Sequence, residues 1–248
     1  MAQRTRSATY TKPANLKITF ANAGIAPDEK HKRIYVSVNA VAFIINQARR
    51  RFSDLEAALI QYDELKKAKG DVPSSMSHDG RVFFDAGYSK RNEIVSAAWD
   101  VIDWSDRLRK VLGVLAGIKK NEAWYQIAIR GVAAVEDIRH FVQHFDSNLT
   151  KLVEGSYPVM GTVIASFPCS DGYYARALLA SAVRYSAEDA IEIAGFARAV
   201  KGSGRVECVV LSVADLAVNL TLTISAVAAA QAELAAVLKR DYAFEWPT

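Results

Sequence analysis

The chain has 248 residues, 51% of them apolar and 23% charged, which is enough to bury a sizeable core without disulfide or metal staples. Its net charge of +4 is too mild to mark a polycation. No stretch approaches the roughly 18 uninterrupted apolar residues of a membrane span, and the basic N-terminus is followed by no signal-peptide run. A soluble, cytoplasmic protein without membrane contact is expected. Cys169 and Cys208 sit at no metal-ligand or redox spacing. They read as unpaired thiols in a reducing compartment, with a single bridge between them as the alternative.

Residues 1–33 form a basic segment, with Arg4, Arg6, Lys12 and Lys17 and no acid before Asp28. A solvated terminus explains them, and phosphate contact is the alternative. From Ile34 to about Lys69 the spacing predicts a helix. Val41, Ile45, Ala48, Phe52, Leu55, Leu59 and Tyr62 alternate steps of four and three on one stripe. Arg49, Arg50 and Arg51 on that helix read as a solvated face. Turn formers from Gly70 to Gly80 predict a loop, with extended chain continuing to about Lys90. A second helix follows from Arg91 to Leu115, with Ile94, Val101, Leu108 and Leu112 on its apolar side, Trp104 near it, and Gly117 ending it. Asp100, Asp103 and Asp106, among Arg107, Arg109 and Lys110, read as its solvated flank. Trp99, Trp104, Trp124 and Trp246 read as core or interface residues.

A third helical region begins after Asn121, with a break allowed at Gly131. Its later part carries Val135, Ile138, Val142, Phe145, Leu149 and Leu152 in steps of three and four, closed by Gly155 as a C-cap. Beyond Gly155, turn clusters separate four expected strands near Met160–Phe167, Tyr174–Tyr185, Ala190–Val200 and Arg205–Leu211. Ser212-Val-Ala-Asp215 reads as a capping box opening a last helix that runs through Leu220, Ile224, Val227, Leu234 and Leu238. Asn219 to Ile224 also alternates like a strand. The fold class is therefore α+β: a basic segment (1–33), an N-terminal helical bundle (34–155), then a small antiparallel sheet with a C-terminal helix (156–248).

No phosphate-cradling glycine loop, nucleophile elbow or paired-cysteine site occurs. Of four histidines, His31 and His78 fall at loop or boundary positions. His140 and His144 lie instead on one helix, on the side opposite the apolar stripe, with Arg139, Gln143 and Glu136. Arg139 and His144 are about 140° apart around that helix, so they can line a groove or meet a second subunit across a twofold axis. Glu136, His140 and His144 could also offer three metal ligands. Successive turns hold such groups about 6 Å apart, however, and no metal or cofactor is expected. The plain alternative is two surface histidines on an amphipathic helix.

Arg139-His140-x3-His144 resembles the Arg-φ-x3-His motif of the HEPN superfamily (higher eukaryotes and prokaryotes nucleotide-binding), whose φ is often Asn, Asp or His. The likeness covers Asp137 to Phe145; elsewhere the front half is similar only in being helical. It implies a helical bundle forming a homo-oligomer, commonly a dimer, with RNA as partner and metal-independent RNA cleavage as activity. It further implies that His144 helps activate the ribose 2′-hydroxyl and the leaving group. Arg139 would stabilise phosphate charge, and His140 would orient the other two. Proton exchange by imidazole at neutral pH and a fixed guanidinium fork on phosphate suit those roles. The rival reading is a non-enzymatic helical interaction and oligomerisation protein.

Overall fold

The computed structural model describes residues 29–69, 78–114, 120–155, 160–169, 172–179, 206 and 208–242. The basic residues before Asp28, Gly117, the expected strand near Ala190–Val200 and Trp246 lie outside them. Helix α1 spans Glu29–Lys69 and α2 spans His78–Val114. They form an antiparallel pair, with Arg91 Nε donating to Tyr62 Oη at 3.1 Å near one end and Phe43 meeting Trp104 toward the other. Every residue of the α1 stripe from Val41 to Tyr62 is buried, as are Ile94, Val101, Leu108 and Leu112 on α2. Helix α2 starts well before Arg91, so residues 81–90 are helical where extended chain was expected. A helix of this length packed along a partner draws its stability from tertiary contact, and local propensity does not decide its start.

Three short helices follow: α3 (Ala123–Gly131), α4 (Val135–Gln143) and α5 (Phe145–Glu154). The apolar spacing predicts one helix through Leu152, but the chain breaks at His144, which has φ −106° and ψ 40°. Asn148 fixes the break. Its Nδ2 donates to the carbonyls of Phe141 (2.8 Å) and His144 (3.0 Å), covering acceptors left over at the end of α4. The expected stripe divides accordingly: Val135, Ile138 and Leu152 are buried, Val142 and Phe145 half-buried, and Leu149 is 44% exposed, while Phe141, outside that stripe, is buried. Gly155 does cap α5, in right-handed rather than left-handed conformation.

Among the described residues the sheet has four strands in the order β2-β1-β3-β4, with every neighbour antiparallel. Strand β1 is Thr162–Cys169, β2 Gly172–Leu179, β3 Cys208–Val213 and β4 Leu216–Asn219. The final helix, α6, spans Leu220–Tyr242. The expected capping box at Ser212–Asp215 is instead the end of β3 and a two-residue turn, with Ala214 at φ 53°. Asn219 is the cap: its Oδ1 accepts the Leu222 N–H at 3.0 Å, while its Nδ2 donates to the Cys208 Sγ at 3.4 Å. Cys208 is a buried free thiol, and burial pushes its ionisation upward against the smaller opposing effect of that amide.

Two apolar clusters draw on both sides of residue 155. One joins the middle of α1 and α2 to α4 and the sheet; the other joins the start of α1 and the end of α2 to α3 and α6. Helix α6 is long and apolar enough to cross a membrane by length and composition alone. In this fold Leu220, Ile224, Val227, Leu234 and Leu238 are buried in the two clusters. The α3–α6 contact is so close that a Cβ on Gly131 would collide with the Ala226 side chain.

Gly161, at φ +79°, leads into β1 where a Cβ would run into the Ser212 carbonyl oxygen and Val213. Gly161→Ala is therefore expected to cost about 2 kcal/mol or more, from backbone strain plus overlap. The measurement is a urea midpoint with an unchanged slope. An unaltered midpoint would show that β1 enters the sheet differently.

Candidate functional site

Helix α4 has nine residues, too few to persist alone, and two kinds of contact hold it. Val135, Ile138 and Phe141 enter the core on one side. On the other, its charged residues reach α2. Asp106 of α2 is 3% exposed, and its carboxylate is compensated by Arg109 at 3.0 Å and Lys110 at 2.6 Å. Arg109 continues to Glu136 on α4 at 3.0 Å. One turn earlier, Arg139 Nε lies 3.1 Å from Asp103 Oδ1, and Asp100 lies 3.6 Å from Arg51 of α1. The three aspartates expected to flank a solvated helix are thus each paired. Asp100 reaches α1, Asp103 reaches α4, and Asp106 reaches α4 through Arg109.

This arrangement separates the three sequence-expected site residues. Arg139 is 31% exposed and sits against Asp103. The contact is an ion pair by distance only, since Asp103 Oδ1 is buried yet accepts no well-aimed hydrogen bond. His140 and His144 are brought together, with ring centroids 4.4 Å apart and planes 55° from each other. Both are exposed and line an open groove of about 560 Å³ with Asp137, Phe141, Ser147, Asn148 and Leu216. Arg139 is not among the described residues lining it.

Asp137, Ser147 and Asn148 went unnoticed in the sequence, though a signal existed. From Asp137 through His140 and His144 to Ser147 the spacing is three, four and three, the spacing of one face of an unbroken helix, although here α4 carries the first two and α5 the last. Leu216 arrives from β4 and carries no such signal. At the groove edge Lys151 of α5 lies 5.9 Å from the centre of the Phe141 ring and donates to Asp215 at 2.8 Å. That bond holds the Asp215 carboxyl below its usual range, outweighing the opposite pull of partial burial. Glu136 is occupied by Arg109, and among the described residues no three His, Cys, Asp or Glu side chains are grouped to hold a metal ion.

No family model, curated protein or solved structure matches the chain.

Two measurements check the electrostatics. The Asp103–Arg139 pair is partly exposed, so a double-mutant cycle with alanine should give a coupling of about 0.2–1 kcal/mol. A coupling of zero would remove this pair from the forces holding α4. For Asp215 the folded value is depressed, so its stabilisation is present above the unfolded value near 3.9 and is lost as pH falls through the folded one. With both partners half exposed, screening keeps the loss in Asp215→Asn below about 1 kcal/mol at pH 7. Urea midpoints of variant and parent should converge in acid; a difference that persists there would contradict this origin.

Proposed function

We infer that this protein binds RNA and cleaves it without metal, with His140 and His144 as the proton-transferring pair. The observation that carries this reading is the pairing of the two imidazoles in an open groove among Asp137, Ser147 and Asn148. Two adjacent imidazoles suit a displacement in which a base removes the ribose 2′-hydroxyl proton while an acid protonates the departing 5′-oxygen. The 2′-oxygen bonds to phosphorus as the bond to the 5′-oxygen breaks, leaving a 2′,3′-cyclic phosphate and a 5′-hydroxyl. His144, at the junction of α4 and α5, and His140, one turn before it, take these two roles. Lys151, beside Phe141, is held by Asp215 and offers its charge to phosphate in this scheme only by leaving that carboxylate. Arg139, which the HEPN resemblance implicates, reaches phosphate in this scheme only by leaving Asp103. A homodimer belongs to the same reading. On α5, Leu149 is 44% exposed and Val153 70%, which is apolar surface for a second copy to cover.

The second reading is a non-enzymatic interaction protein, and the ion pairs of Arg139 and Glu136 favour it. Those pairs use the polar face of α4 to fasten it to α2.

The discriminating experiment is cleavage of mixed-sequence RNA in excess chelator, with light scattering to determine mass. The cleavage reading expects His140→Ala and His144→Ala each to lose about 10²- to 10⁴-fold in rate, with unchanged melting temperature and a bell-shaped pH dependence in the parent. No cleavage by the parent, or full rates in both variants, would refute it. A monomeric mass would remove the dimer from the proposal.

A further inference from the structure

We propose that the α1–α2 seam carries a docking ledge for single-stranded nucleic acid, built from Phe43, Trp104, Arg107 and Arg50. Phe43 is 50% exposed, an unusual position for a phenylalanine in mid-helix. Its ring meets Trp104 edge to face, with centroids 5.6 Å apart and planes at 76°. Trp104 in turn packs on both apolar clusters and carries the Arg107 guanidinium 4.7 Å above its ring. The indole is thus a fixed floor, Phe43 an upright open ring beside it, and Arg107 a cation held between ring and solvent.

Charge decides which partner suits this ledge. Arg107 has no acidic partner among the described residues, and neither has Arg50, exposed two turns along α1 from Phe43 on the same side. The neighbouring acids are already used: Asp100 faces Arg51, and Asp103 faces Arg139. Two uncompensated guanidiniums beside an open aromatic ring match a strand that offers a phosphate and an unstacked base in alternation. A duplex hides its base faces and offers only the phosphates. A protein partner would need acids opposite both arginines and a pocket for the ring.

The ledge also points at the histidine groove. Around α2, Trp104 faces α1, Asp103 faces Arg139 of α4, and Arg107 lies on the exposed crest between them. A strand crossing that crest leads toward the helix that carries His140 and His144. Only this destination rests on the RNA-cleavage reading; the ledge itself stands on the aromatic and arginine geometry.

The test uses the full chain and a fluorescent 12-residue oligodeoxyuridylate, which lacks the 2′-hydroxyl and cannot be cleaved by the route above. Anisotropy titrations near 50 mM salt should give saturable binding, weaker for a duplex of the same length. Phe43→Ala and Phe43→Leu should raise Kd about 5- to 100-fold, and Phe43→Tyr should restore it. Arg50→Ala and Arg107→Ala should each flatten the slope of log K against log salt by about 0.7. Absence of saturable binding, a duplex bound equally well, or unchanged affinity in Phe43→Ala would each overturn the proposal. The first of these would leave the ledge to a protein partner. Phe43-dependent binding alongside an inactive groove would sink cleavage and keep the ledge. Cleavage by a protein whose binding ignores Phe43 would do the reverse.

Discussion

A carboxylate withdrawn from water must be compensated where it lies, because an unpaired buried charge is far costlier than any single apolar contact can offset. Asp106 is in that position on α2, neutralised within its own helix by Arg109 and Lys110, and Arg109 is also a point where α4 attaches. Arg109 serves both Asp106 and Glu136, so the cation that compensates the buried acid also meets the first turn of α4. Ile138 and Phe141 fill the opposite side. With the helix gripped on two sides, the face left over is the one bearing Asp137, His140 and His144, and the groove forms there.

The histidine pair was legible because a spacing of four on a helix places side chains together whatever the surroundings. The fate of Arg139 was not. It depends on Asp103, a residue 36 positions earlier on another helix, and no local pattern reports that pairing. The seams of α1 and α2 could likewise be read directly, since a long stripe with seven matching positions leaves little room for another period. Helix ends were harder. Val142, Phe145 and Leu149 keep a helical rhythm across the break at His144, which is set by an asparagine amide seven residues after the carbonyl it covers.

The start of α6 shows the same difficulty at a strand. Ser212 and Asp215 have the composition of a capping box, yet strand pairing with β1 claims Ser212, and the chain turns at Ala214 in a conformation that alanine seldom adopts. Glycine or asparagine there would have announced a hairpin. The true cap, Asn219, comes seven residues after Ser212 and is tied to Cys208 of the neighbouring strand as well as to Leu222. Sheet and helix are thus joined through one side chain, which explains how a four-residue strand passes directly into α6.

The break at His144 has a mechanical meaning. His144 ends α4 and begins α5, and its N–H and carbonyl bond to His140 and Asn148 on either side. Any change in the angle between the two helices therefore turns the backbone that bears one of the two imidazoles. The wall of the groove and the placement of its second ring therefore depend on the same residue.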